Sequence, residues 1–269
     1  HLSSTGAPLR RVESAPGNPA ALAATTDQTN HMRTPALLIA AVFGAVTVTL
    51  WALANQPVAE PQWPERIQGF AFSPYHSGQD AVAGDFPSIE QIDGDLVLLK
   101  DRTRSIRTYT TDSTIGEVPK LAQKHQIKVA LGAWIDARFA HNATEIERAI
   151  RLARRHDNVI RLIVGNEVIL RGDIPLADLT AYLDKVRAAV KQPVSTAEPW
   201  HVWLRHPELA EHVDYLAVHM LPYWEGIPAD ASIGYIDSKV AELEQAFPGK
   251  KIVLAEVGWP SNGRTDRKS

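Results

Sequence analysis

The run Val159-Ile160-Arg161-Leu162-Ile163-Val164-Gly165-Asn166-Glu167-Val168 decides how the rest of the chain is read. Val159 to Val164 is a largely apolar, β-branched stretch that predicts a buried strand. The run breaks at Gly165-Asn166-Glu167, and packing does not account for that break. Glutamate is rarely buried unless it is paired or working, and glycine lets backbone come close to a ligand. A second apolar run, Lys251-Ile252-Val253-Leu254-Ala255-Glu256-Val257-Gly258-Trp259-Pro260, also ends in an acid. The functional reading starts from the pair Glu167 and Glu256.

Working outward, strands alternate with amphipathic helices from Glu65 onward. Strands are expected at Arg66–Tyr75, Ser105–Thr111, Lys128–Ile135, Val159–Val164, Pro193–Trp200, Asp214–Trp224 and Lys251–Glu256. The intervening helices carry apolar faces, clearest in Leu176, Leu179, Leu183, Val186 and Val190. This rhythm implies right-handed βαβ units and a parallel sheet, either open or closed as a (β/α)8 TIM barrel. No strand leads into the Gly-x-Gly-x-x-Gly turn that an open nucleotide-binding sheet usually shows. Unusual residues at nearly every strand end favour the barrel, because barrels build sites from many strand ends. The expected fold is therefore α/β, a (β/α)8 barrel over residues 65–269. The chain reads as truncated after the seventh strand, since seven strands of an eight-strand plan cannot close.

The N-terminal part is different. Between Arg33 and Glu60 no residue is charged, and residues 35–54 are nearly all apolar, about the length that crosses a bilayer. A transmembrane helix or signal peptide is expected there, with Ala52-Leu53-Ala54 resembling a signal-peptidase site. Arg10, Arg11 and Arg33 precede it while Glu60 and Glu65 follow, which leaves the domain on the periplasmic or outer side, anchored or secreted. Residues 1–34 are expected to be disordered, with residues 1–31 read as upstream of a true start at Met32, and the Pro-rich stretch 55–64 reads as an extended linker. The chain has no cysteine, which excludes disulfides and thiolate chemistry, and its net charge of -3 gives no case for nucleic acid. No His-x-x-x-His or His-Glu-x-x-His pair stands on a helix, so neither metal nor cofactor is expected.

Two carboxylates facing each other across a barrel mouth suit glycosidic bond cleavage, one as proton donor and one as nucleophile. The nearness of Glu256 is expected to raise the pKa of Glu167 and keep it protonated. Val164-Gly165-Asn166-Glu167-Val168 and Glu256-Val257-Gly258-Trp259-Pro260-Ser261, with Arg107-Thr108-Tyr109, resemble the signatures of glycoside hydrolase family 17. That family comprises β-1,3-glucanases and β-1,3-glucan transglycosylases, and the likeness covers Arg66 to about Gly263. The arrangement most resembles a bacterial branch in which a membrane segment precedes the domain and a glucan-synthesis role is often assigned. The resemblance implies Glu167 as acid/base, Glu256 as nucleophile and retention through a glycosyl-enzyme intermediate. It implies a β-glucan substrate, with a glucan synthase as partner or fused domain. Asn166 would hold the sugar 2-hydroxyl, Tyr109 would sit near the nucleophile, and Trp259 would support the floor of the site. Plant members carry Asn-x-Tyr-Pro-Tyr where this chain has His219-Met220-Leu221-Pro222-Tyr223, so Tyr223 carries over while His219 and Leu221 depart.

Other readings stay open at this point. A non-catalytic glucan-binding module of a glucan synthase assembly would need neither acid, and a fragment that cannot close its barrel would be inactive. His219 is either a satisfied structural histidine or faces the sugar, and Glu198 either binds an acceptor sugar or caps a loop. Trp134, Trp200 and Trp224 are stacking candidates, and Asn142-Ala143-Thr144 is a formal glycosylation sequon.

Overall fold

The computed structural model describes residues 19–55, 62 and 64–260, and the chain divides into two units, residues 1–61 and 62–269. The linker expected at 55–64 falls largely, and the end of the family likeness from Ser261 to Gly263 wholly, outside the described residues.

The first unit contains one helix, α1 (Pro19–Ala54). It begins well inside the stretch expected to lack regular structure. Pro19-Ala20-Ala21-Leu22-Ala23-Ala24 supplies a reason: alanine and leucine favour helix intrinsically, with no need for the periodic apolar face on which the sequence reading relied. Pro35 lies inside the helix, where it removes a backbone donor. The 20 residues Pro35–Ala54 have a mean hydropathy of 2.3, and Leu37, Phe43 and Trp51 are exposed. The Thr47 hydroxyl donates to Phe43 O, so this polar side chain is satisfied by its own helix. By length and composition the segment suffices to cross a membrane, and a signal sequence meets the same description.

In the second unit seven parallel strands run in chain order: β1 (Phe70–Ala71), β2 (Ser105–Arg107), β3 (Lys128–Ala133), β4 (Val159–Asn166), β5 (Val194–Pro199), β6 (Leu216–Met220) and β7 (Ile252–Val257). They form a nearly closed barrel on the TIM-barrel plan, in which β1 and β7 have one described neighbour each. β1 is much shorter than the Arg66–Tyr75 run suggested. With one partner, it adds to its ladder only the Ile67–Thr103 bridge and the bond from Phe72 N to Arg107 O. A cavity of about 620 Å³ opens between these edge strands, lined by Phe70, Arg104, Arg161, Leu254 and Val257 among others.

Helices α2 (Ile89–Leu99), α3 (Val118–Lys124), α4 (Phe139–Arg155), α5 (Val168–Arg171), α6 (Leu176–Ala189), α7 (Trp200–Arg205) and α8 (Ser232–Ala246) connect the strands. Local sequence explains the start of α2, where Ser88 and Gln91 form a reciprocal capping box. α6 buries Leu179, Leu183 and Val186, the stripe seen in the sequence, while Leu176 and Val190 are partly buried. The main core lies between strands and helices. A smaller apolar cluster of Ile163, Ala197, Tyr215 and Ala217 lies within the barrel, where Tyr215 donates its hydroxyl to Leu162 O.

Candidate active site

Glu167 is presented by an irregularity in β4. Ile163 pairs with Ser195 but Asn166 pairs with Ala197, so β4 spends one residue more than β5 over this interval. Such a bulge bends a strand and re-aims its side chains. Gly165 permits it with φ +87; a Cβ here would stand 2.5 Å from Val168 Cγ2. Glu167 itself is left-handed at φ 55 and ψ 33, which costs a non-glycine residue energy and is met at functional positions. Its amide donates to Ala197 O at 2.7 Å, and its carbonyl accepts from Arg171 N in the first turn of α5.

Glu256, near the end of β7, is held from across the barrel. Arg107 Nη1 donates to Glu256 Oε1 at 2.9 Å and to Ala255 O at 3.1 Å. The Tyr109 hydroxyl donates to the same Oε1 at 2.7 Å. Arg107 Nη2 donates to Asn166 Oδ1 at 2.6 Å, so one buried guanidinium ties the nucleophile candidate to the residue before Glu167. Burial first, then its bond to Glu256, pushes the Tyr109 phenol well above its ordinary pKa, keeping it a donor. Arg107 was legible as part of the Arg-x-Tyr pattern but had not been singled out as a site residue. Its signal is a lone cation inside the β-branched run Ser105–Thr111.

His219 is buried and joins the two acids. Nδ1 lies 2.7 Å from Glu167 Oε1, while Nε2 lies 3.2 Å from Arg107 Nη1 and 3.6 Å from Glu256 Oε1. A guanidinium has donors only. Nε2 therefore carries the lone pair, and Nδ1–H donates to Glu167. This bears on two expectations: of the two readings of His219, its near-complete burial fits the satisfied structural one, and the raised pKa expected of Glu167 is overturned. Glu167 is held below the ordinary carboxylate pKa, chiefly by the His219 hydrogen bond; burial opposes this, and the positive charges of Arg171 and Arg107 add to it.

Glu198 matches the capping alternative of its two readings. It is wholly buried, and its two carboxylate oxygens accept from Ile169 N at 2.8 Å and Leu170 N at 3.3 Å. It therefore caps a helix rather than meeting an acceptor sugar. Burial pushes its pKa up to about 7, against the two amide donors that favour the anion. Tyr223 stacks edge-on with Trp259 at 5.4 Å and with Trp224 at 5.2 Å, and Trp224 is largely exposed. Trp200 is engaged by Lys239 over its ring and donates to Glu225.

Another buried acid was missed. Glu145 on α4 accepts from the Thr110 and Thr111 hydroxyls and from the Thr111 and Trp134 amides, bracing the ends of β2 and β3. Its signal was an acid on the same helix face as Ile146 and Ala149. Glu145, Asp112 and His141 bring potential ligand atoms within 4.8 Å of one another, but Glu145 is filled by these donors and Asp112 by Arg148. That chemistry does not fit a cation. Asn142 is buried and bonded both ways to the Asp136 backbone, so the sequon is not presented for glycosylation.

Two cavities flank the acids. One of about 740 Å³ is walled by Tyr75, Phe86, Tyr109, Trp134 and Asp136. The other, about 370 Å³, touches Glu167 and His219 and is walled by Leu170, His201, Leu221 and Trp224.

Residues 69–269 match the BtgE/BtgC glycoside hydrolase domain family. The chain is 28% identical over 206 residues to the probable family 17 glucosidase SCW4 of Saccharomyces cerevisiae, covering 74% of this chain and 52% of that protein. It thus spans about half the length of that curated relative. The fold resembles the crystal structure of a glycoside hydrolase family 17 β-1,3-glucanosyltransferase from Rhizomucor miehei, with a TM-score of 0.62, 27% identity, and coverage of 72% of this chain and 71% of that one. An active-site mutant of the Rhizomucor enzyme in complex with laminaritriose is similar at a TM-score of 0.59 and 26% identity, over 69% and 68% of the two chains. With every strand of the barrel inside the matched residues, the chain belongs to the BtgE/BtgC glycoside hydrolase domain family, and so to glycoside hydrolase family 17.

Proposed function

We propose that the barrel is the catalytic domain of a retaining glycosidase that acts on β-1,3-glucan and passes the cleaved chain to water or to another sugar. One observation carries the reading: among the described residues the contacts of Glu256 all fall on Oε1, where Arg107 and Tyr109 hold it. Oε2 is left for the anomeric carbon. Glu256 attacks there in those molecules that carry a proton on Glu167, a fraction that its lowered pKa makes grow as pH falls; Glu167 gives that proton to the departing glycosidic oxygen, and a glycosyl ester forms on Glu256. Glu167, now a carboxylate, takes a proton from water or an acceptor hydroxyl as that oxygen displaces Glu256, and two inversions give retention. With Asn166 Oδ1 occupied by Arg107, its Nδ2 donors are left for the sugar 2-hydroxyl. Tyr223 and Trp259 form an aromatic floor beside Glu256.

The largely apolar wall of the smaller cavity, with Leu170, Leu221 and Trp224, supports transfer, because such surfaces seat the face of an acceptor sugar. Pro35–Ala54 acts in this reading as an anchor or export signal that puts the domain outside the cytoplasm, beside a glucan-synthesising partner. A reporter fused after Pro64 should be active only on the outer side.

The roles of the acids are tested by azide rescue. Glu256→Ala should lose turnover of glucans and activated aryl glycosides alike, and azide should restore it with inverted stereochemistry. Glu167→Ala should keep the first step with a good leaving group, stall, and be rescued by azide with retention. The reverse pattern exchanges the roles, and full activity in both variants removes the reading. Products longer than the laminari-oligosaccharide supplied indicate transfer; shorter ones alone indicate hydrolysis.

A further inference from the structure

Glu167 stands at the N-cap position of α5, where a residue's own side chain usually accepts the amides two and three residues on. It makes no such bond, because its carboxylate is turned to His219. The two amides concerned, Ile169 N and Leu170 N, are instead taken by Glu198 from the neighbouring strand. We propose that Glu198 is a positioning residue: it takes over the cap that Glu167 leaves, pinning Glu167 in its left-handed conformation while its side chain stays free to exchange a proton.

This inference rests on Glu167 being the acid/base. Two consecutive residues of β5 bracket Glu167. Ala197 O accepts its amide, and Glu198 accepts the next turn's amides. Each oxygen of Glu198 takes one donor, a division that a single-oxygen acceptor cannot reproduce. Glu198 is fully buried, so neither glucan nor bulk water competes for it. The charged groups acting on it are Glu167 at the end of β4 and Arg171 on α5. Arg171 also bonds Asn166 O and Asp173, which closes the same turn from its other side. An unheld left-handed glutamate would relax toward ordinary backbone angles and swing its carboxylate off the glycosidic oxygen, where misplacement lowers the rate more than the affinity.

The full chain carrying Glu198→Gln tests this. The amide keeps one acceptor and sets an NH2 against the other backbone N–H. Turnover of laminari-oligosaccharides should fall about 10- to 100-fold in kcat with KM within about twofold, the signature of lost geometry rather than lost binding. Dinitrophenyl glycosides should keep their first step, and azide should raise their turnover with retention, as a milder copy of Glu167→Ala. Amide exchange at Ile169 and Leu170 should quicken. Glu198→Asp, which keeps both oxygens on a shorter stem, should fall between. Wild-type kcat in Glu198→Gln, a change in KM alone, or an equal loss on both substrates with no azide response would each overturn the proposal. If the wild type turns over no glucan or Glu256→Ala stays active, the functional reading fails instead. Exchange at Ile169 and Leu170 then decides the clamp alone: quicker supports it, unchanged overturns it.

Discussion

β4 and β7 each bring a glutamate to the same mouth, yet they hold it by opposite means. β4 is paired on both sides and largely buried, and backbone fixes its acid: a bulge, a glycine at φ +87 and a left-handed turn. β7 is an edge strand with Leu254 and Val257 exposed, and side chains from β2 fix its acid. The difference has a chemical sense. A nucleophile needs one oxygen immobilised and the other bare. An acid/base must gain and lose a proton without shifting, which a rigid turn secures better than a charged partner.

Arg107→Met strikes the side-chain arm and should have the largest effect. Breaking a buried ion pair costs roughly 3–5 kcal/mol, and with Glu256 22% exposed the lower end applies. A lower melting temperature and kcat/KM below about 1% of wild type should follow, since each 1.4 kcal/mol is about tenfold. A near-normal rate would show that β7 holds Glu256 unaided.

Gly165→Ala strikes the backbone arm. The new Cβ meets Val168 Cγ2 at 2.5 Å on strained backbone, so denaturant midpoints should report a loss of about 1–3 kcal/mol. Activity on glucan should fall more than on aryl glycosides; equal losses would erase the contrast between the arms.

Tyr109→Phe removes one bond to a charged oxygen, worth about 1.5–3 kcal/mol of stability, so the melting temperature and the rate of glycosyl-enzyme formation should both fall.

His219→Leu, which has no donor, should have the smallest effect on rate but move its pH dependence. The His219 bond holds Glu167 below the ordinary carboxylate value. Loss of that donor raises the folded pKa, so the acid stays protonated to higher pH. The alkaline limb of kcat/KM on glucan should then shift upward, and a downward shift would break the assignment of His219 as donor to Glu167.

Both acids and the seven strands around them were legible because apolar β-branched runs are long and end abruptly. The conformation of Glu167 was not legible, since positive φ at a glutamate depends on how β5 registers against β4. Glu198 and His219 show the same limit. A carboxylate or imidazole at a strand end looks alike in sequence whether it meets solvent or a neighbour's amide. β1 was overestimated because its composition suits a strand while its pairing ends after two residues. The apolar segment at Pro35 was plain, but its helix runs back to Pro19 through residues with no periodic pattern.

Arg107 reaches Asn166, His219 and Glu256 across sequence separations of 59, 112 and 149 residues. Three long loops must therefore close before one guanidinium finds its acceptors, and such non-local closures come late in folding. Helices and neighbouring strands assemble from shorter contacts and need none of them. Recovery of activity after dilution from denaturant should lag behind recovery of secondary structure, so that turnover is a clock for the last event in the folding of the barrel.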